Sequence, residues 1–269
     1  MPRWLATLIR LTPIVGSASA ISVIGLVGFR EIAPPDALIA ATDAIGNYLQ
    51  TLGAIYAVLL AFVVFVVWGQ YNDVRVYIER EASILVDLHR TASGLPVDAR
   101  MAIQNTLHDY VDAVLRIEWN AIERGDDAAV ESVGHKLDDV WLAIHHCHPE
   151  GCAQEAMFGE ALSRFNELND LRTSRLTSAR FRVPLTMKIL LYTGAVILVG
   201  SMYLVHIEEL WLHGLVTAAL AGAIAHILYL IYDLDRVFDG SLHVARAPFE
   251  RARTSFERVV RLIPVQPDE

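Results

Sequence analysis

The chain has 269 residues, 54% of them hydrophobic, and its formal net charge at pH 7 is −9. Such an apolar composition is typical of a membrane protein, and the acidic balance excludes the basic footprint of a nucleic-acid-binding protein. Since no run of alternating apolar and polar residues is long enough for the strands of an outer-membrane barrel, we predict an all-α membrane protein.

Four stretches of the chain carry no charged side chain and are long enough to cross a bilayer, which takes about 20 apolar residues per helix. They are residues 11–29, 44–72, 189–207 and 210–232. We predict four transmembrane helices, at 13–29, 44–68, 184–206 and 210–232. The chain then divides into an N-terminal membrane hairpin (1–68), a helical domain (69–183), a C-terminal membrane hairpin (184–232) and a tail (233–269).

The first span follows a short basic segment, as the apolar part of a signal peptide would. Its apolar run, however, continues past the small residues at 17–20 as far as Phe29, so we expect an uncleaved span. Pro34 and Pro35 then end the helix outside the membrane.

The second span has two distinct faces. Gly53, Ala57 and Ala61 recur every four residues and predict a face for close helix packing. A neighbouring face, polar at its outer end and bulky and apolar in its middle, consists of Asn47, Thr51, Val58, Phe62 and Phe65. Nothing breaks the helix before Gly94 and Pro96, so we expect it to leave the membrane and continue to near Ser93.

The polar middle of the chain predicts an antiparallel bundle of four helices. Apolar residues spaced three and four apart place them in the extension of span two and at about 98–124, 128–144 and 152–180. Before span three lie four arginines, which we interpret as attracted to anionic lipid headgroups: Arg172, Arg175, Arg180 and Arg182. After span four, the tail carries one predicted helix, at about 248–262.

Lys and Arg are concentrated on one side of the predicted membrane. The loops that join spans one and two, and spans three and four, carry a single Arg between them. The positive-inside rule therefore places both termini and the helical domain in the cytoplasm.

Two groups of residues are candidates for binding ions. Five metal-ligating side chains share one loop, but no second ligand pair accompanies them, so we expect a polar loop and no metal site: His145, His146, Cys147, His148 and Cys152. Asp73, Asp233 and Asp235 lie at the predicted inner ends of spans two and four. They are either solvated at the interface or form an acidic ring at the inner mouth of a pore.

No enzyme motif is present. The chain has no phosphate-binding Gly-rich loop, no Gly-x-Ser-x-Gly and no His-Glu-x-x-His. We expect neither catalysis nor a cofactor.

Several polar and aromatic residues after the middle of span two stand in a distinctive order. They are residues 68–75, Glu79, Glu81, Arg90, Tyr110, Glu118, Trp119, residues 168–172, Arg175, Pro184, residues 232–235, Phe238, Gly240 and Pro248. Over residues 44–258 the chain resembles the bacterial bestrophin-like membrane proteins. The segment Phe65–Asp73 also resembles the Trp-x-Gln-Tyr-Glu-Asn segment of the bestrophin channels.

Bestrophins are pentameric anion channels in which bulky apolar residues of the second span narrow the pore. The resemblance implies a homo-oligomer, a pentamer, in the bacterial inner membrane, with lipids and permeating ions as partners. It also implies that Val58, Phe62 and Phe65 form the constriction. The acidic calcium-binding cluster of bestrophins is not recognisable here, and the water-facing surface is acidic, so neither calcium gating nor anion selectivity is carried over.

We therefore predict an oligomeric inner-membrane ion channel lined by span two. The alternative is a membrane-anchored interaction or signalling module that conducts nothing. Asn47 and Thr51 favour the pore, because polar side chains on the Phe62 face are poorly suited to lipid.

Overall fold

The computed structural model describes residues 3–33, 35–238 and 242–262. Pro34 and Gly240, named above, lie outside these ranges. All the regular structure in the described residues is helical: α1 (Arg3–Ile32), α2 (Pro35–Thr91), α3 (Val97–Ala113), α4 (Trp119–Arg124), α5 (Asp127–His145), α6 (Gly151–Arg180), α7 (Leu185–Met202), α8 (Leu210–Leu234) and α9 (Ala247–Leu262). A 3₁₀ turn at Ala92–Gly94 follows α2, and a π-helical turn at Val114–Glu118 joins α3 to α4.

Within the described ranges, four helices are long and apolar enough to cross a membrane. They are α1, the first part of α2, α7 and α8, which confirms the predicted all-α fold with four membrane-spanning helices. The predicted continuation of the span-two helix is also confirmed, because α2 is a single helix of 57 residues that ends at Thr91.

The chain forms two compact units. The membrane unit consists of residues 1–69, 182–236 and 240–242. The helical domain consists of residues 70–181, 237–239 and 243–269. The tail expected at 233–269 thus contributes to both units.

In the membrane unit, α1 packs closely on α8 through small residues. The Ser19 hydroxyl donates a hydrogen bond to the Ala218 carbonyl at 3.0 Å. A Cβ atom at Gly222 would lie 2.9 Å from Ser19 Oγ, which is too close for a larger residue without a shift. Small residues allow such an approach of two backbones in lipid.

Helix α2 contacts α7 through Tyr56, which lies on a buried face of the helix. Tyr56, Leu60, Val63 and Val67 are buried, at the three- and four-residue spacing of one helix face. The Tyr56 hydroxyl donates to the Leu191 carbonyl at 2.8 Å, and a Cβ at Gly194 would lie 2.6 Å from the Tyr56 ring. The predicted packing face is different: Ala57 and Ala61 are exposed in the chain.

The helical domain has one hydrophobic core, built from the second part of α2 and from α3, α5, α6 and α9. Most of the apolar residues whose three- and four-residue spacing predicts these helices are buried there. Three apolar residues at the same spacing are exposed instead: Met101, Trp141 and Met157. Trp141 lies at the rim, with its ring stacked on His145 and tilted against Phe165.

Candidate functional site

The polar and apolar face of span two lies exposed in the single chain. The side chains of Val58, Phe62 and Phe65 are 71%, 60% and 75% exposed. Asn47 and Thr51 are also exposed, and the Thr51 hydroxyl donates to the Asn47 carbonyl at 3.0 Å. No other part of the described chain covers this face, so lipid, water or another protein chain must meet it.

Exposure alone does not distinguish a pore face from a lipid face. Ile21 and Ile24 on α1 are 69% and 71% exposed, as much as the residues of α2. The α2 face differs in its chemistry, because two polar side chains follow the same helical face as the bulky apolar ones. An apolar constriction flanked by polar residues is one arrangement that controls ion passage.

The three acidic candidates have different surroundings. Asp73 is exposed, in the helical domain. Asp235, in the membrane unit, is buried and accepts hydrogen bonds from the Val183 backbone at 2.7 Å and from Lys188 Nζ at 2.8 Å. Asp233 is also buried and accepts from the Leu242 backbone at 3.2 Å. These bonds give Asp233 and Asp235 a structural role at the ends of α7 and α8.

A buried ionic cluster lies inside the helical domain, and the sequence analysis did not predict it. Arg175 of α6 is fully buried between two buried carboxylates. Its Nε lies 2.6 Å from Glu81 Oε2, and its Nη2 lies 2.6 Å from Glu118 Oε2. Two further groups complete the cluster: the Tyr110 hydroxyl donates to Glu81 at 2.7 Å, and Arg172 pairs with Glu118.

The electrostatics of this cluster keep Arg175 charged and Tyr110 neutral. Burial alone would lower the pKa of Arg175, but Glu81 and Glu118 outweigh burial and raise that pKa well above its ordinary value. Burial, followed by the charges of Glu81 and Glu118, raises the pKa of Tyr110 well above its ordinary value. Two carboxyl groups thus face two guanidinium groups inside the domain.

The π-helical turn helps to place Glu118 in this cluster. Val114–Glu118 inserts a wider turn between α3 and α4, and Glu118 is its last residue. Such turns occur often at functional sites. Here the turn precedes Trp119, whose ring meets those of Phe238 and Phe249 at centroid distances of 5.2 and 6.2 Å.

The interpretation of the arginines before span three as lipid-binding is wrong for Arg172 and Arg175. Arg175 is fully buried, and Arg172 is largely buried against Glu118 and the Val130 carbonyl. Arg180 is exposed but pairs with Asp127. The sequence does contain a signal for this cluster. The order of residues noted above includes Glu81, Tyr110, Glu118, Arg172 and Arg175.

The loop rich in histidine and cysteine has no metal-binding geometry. Among the residues that the structure describes, no group of three or more His, Cys, Asp or Glu side chains is placed to hold an ion. His145, His146, His148 and Cys152 are exposed, whereas Cys147 is buried, and its burial raises the pKa of its thiol.

The fold of the described helices is similar to that of bacterial membrane proteins with known crystal structures. A crystal structure of a bacterial bestrophin homologue from Klebsiella pneumoniae, a single-substitution variant, matches with a TM-score of 0.65 and 13% identity, over 93% of this chain and 98% of that chain. A second structure of a bacterial bestrophin homologue from Klebsiella pneumoniae matches with a TM-score of 0.61 and 13% identity, over 97% of this chain and 100% of that chain.

A further crystal structure, of a variant membrane protein, matches with a TM-score of 0.64 and 13% identity, over 98% of this chain and all of that chain. No curated protein matches the sequence. The Bestrophin-like domain model matches residues 16–249. The chain belongs to the Bestrophin-like family.

Proposed function

We propose that the protein is an oligomeric ion channel whose pore is lined by the membrane part of α2. The observation that carries the proposal is the exposed face formed by Asn47, Thr51, Val58, Phe62 and Phe65. The opposite side of the same helix, at Tyr56, Leu60 and Val63, is packed inside the chain. One side of this helix is packed within the chain and the other is exposed and amphipathic. Copies of such a helix from several subunits can surround a central axis, with the exposed faces toward the axis.

Family membership supports this proposal, because bestrophins conduct ions as oligomers. By that analogy we propose a pentamer in the bacterial inner membrane, in contact with lipids and permeating ions. Phe62 and Phe65 would form the constriction. Asp73 is an exposed candidate for the inner mouth, whereas Asp233 and Asp235 would act there only through the field of their buried carboxylates.

Cross-linking within the oligomer tests the position of this face. In a background with Cys147→Ser and Cys152→Ser, Phe62→Cys is expected to form disulfide-linked subunits under mild oxidation. Ile21→Cys is the matched control, because Ile21 is equally exposed but lies on α1. Cross-linking of Ile21→Cys and not of Phe62→Cys would remove α2 from the axis.

Planar-bilayer recording of the purified wild-type protein tests conduction itself. We expect single-channel currents, and their reversal potentials in asymmetric salt will give the selectivity. A correctly assembled oligomer that carries no current would favour the second candidate, a membrane-anchored interaction module.

The orientation of the protein can be tested with its own cysteines. We propose that the helical domain is cytoplasmic, because Lys and Arg are concentrated on its side of the membrane. Cys152 is exposed and Cys147 is buried, so Cys152 is the reporter. An impermeant maleimide is expected to label Cys152 only after intact spheroplasts are lysed, and Cys152→Ser is the control. Labelling of intact spheroplasts would show the opposite orientation.

A further inference from the structure

A buried histidine without hydrogen bonds to its ring lies beneath the C-terminal helix. His89 is fully buried near the end of α2, and neither of its ring nitrogens has a hydrogen-bond partner among the described residues. Its ring is stacked on that of Phe256 of α9, with the centroids 4.4 Å apart and the planes within 7°. The buried ring of Phe256 is thus held against an imidazole that the fold leaves without polar partners.

The groups around His89 disfavour its charged form. The charged or titratable groups that influence the ring are His108 and Arg100, both on α3. From α9 the facing group is the apolar ring of Phe256, which also meets His108 edge to face at 4.9 Å. The backbone carbonyl of His89 accepts a hydrogen bond from the Gln104 side chain of α3 at 3.2 Å. This hydrogen bond involves the backbone of His89 and leaves its ring nitrogens without a partner in the described part of the chain. No carboxylate is among these groups.

We propose that His89 is an acid-sensitive contact for α9: protonation of its ring releases the C-terminal half of this helix from the helical domain. A protonated imidazole would need two acceptors and a counter-charge, and the described residues around the ring supply neither. Release of Phe256 admits water to the ring and relieves both costs. The remaining contacts of α9 include surface ion pairs of Arg251 with Glu79 and of Arg253 with Asp112, which stabilise such a helix only weakly.

The direction of the pH effect follows from the pKa of the docked state. Burial first, then His108 and Arg100, lowers the pKa of His89 from 6.5 to about 4. Docking of α9 is therefore unaffected by this group above pH 6.5, and it weakens as the pH falls from there toward 4. By linkage, the ratio of molecules with α9 docked to molecules with α9 released should fall about 20-fold between pH 7 and pH 5.

Hydrogen exchange of the full-length protein in detergent tests the proposal. After correction for intrinsic rates, the amides of the C-terminal half of α9 should lose about 20-fold in protection between pH 7 and pH 5, while those of α5 do not. His89→Phe keeps the stacked ring and cannot be protonated, so its protection should be the same at both pH values. Phe256→Ala should show low protection at both.

Two results would overturn the proposal. One is wild-type protection in α9 that does not change with pH. The other is an equal loss in His89→Phe, which would assign the effect to other groups. If His89→Phe is not monodisperse, His89→Leu serves the same purpose, because it too removes the titrating ring and leaves His108 in place.

Discussion

Alanine in place of both Phe62 and Phe65 is expected to raise the single-channel conductance several-fold. Two exposed phenylalanines on one face of α2 would narrow an apolar pore to a width at which water is expelled. Smaller side chains let water fill the constriction and lower the barrier for a hydrated ion. Recording of wild-type and variant channels in planar bilayers under the same salt conditions measures the change.

A matched pair of substitutions separates this effect from a general change in the membrane unit. Ile21 and Ile24 are also three residues apart and similarly exposed, but they lie on α1. Ile21→Ala/Ile24→Ala should leave the conductance unchanged. If Phe62→Ala/Phe65→Ala assembles normally and its currents equal those of the wild type, these phenylalanines do not line the pore.

Arg175→Ala is expected to destabilise the helical domain more than any single surface substitution. It leaves Glu81 without its guanidinium partner and Glu118 with Arg172 alone, in a site from which water is excluded. Removal of one partner from a buried ion pair typically costs about 3–5 kcal/mol, because the other charge stays buried and uncompensated. Thermal unfolding of the purified protein should show a melting temperature lower by many degrees.

Arg180→Ala is the control for this experiment. Arg180 lies on the same helix as Arg175, α6, and pairs with Asp127 of α5, but both side chains of this pair are exposed. The loss of an exposed ion pair costs about 0–1 kcal/mol, so its melting temperature should stay close to that of the wild type. If Arg175→Ala lowers the melting temperature as little as Arg180→Ala does, water must solvate the carboxylates that Arg175→Ala leaves unpaired.

Local sequence patterns predict the elements of this fold well. Uncharged length predicts four membrane-spanning helices, and apolar spacing predicts α6 at 152–180, where the structure has Gly151–Arg180. The same patterns do not show which residues meet in space. Arg175 is 94 residues away from Glu81 in the chain and 57 residues away from Glu118. In the sequence these charged residues resemble those of solvent-exposed helix faces, but in the structure they are buried and paired with one another.

The least predictable features are those that depend on the end of the chain. The tail looks polar overall, because arginine and glutamate dominate residues 246–258. Its few aromatic residues lie on one side of α9, and Phe249 and Phe256 are fully buried. The burial of His89 follows from that docking and has no signal of its own in the sequence. The face of α2 is visible in the sequence, but only an assembled oligomer will show what it meets.

The contribution of the tail to the core also affects the order of biosynthesis. Residues 70–181 leave the ribosome before α7 and α8, yet their core includes Val237, Phe238, Val244, Phe249 and Phe256. Synthesis of the last two spans must therefore precede completion of the domain that comes before them in the chain. During that interval Trp119 and Arg175 lack the aromatic rings of the tail that later cover them. A nascent chain stalled before Phe249 would present an unfinished core to chaperones and proteases.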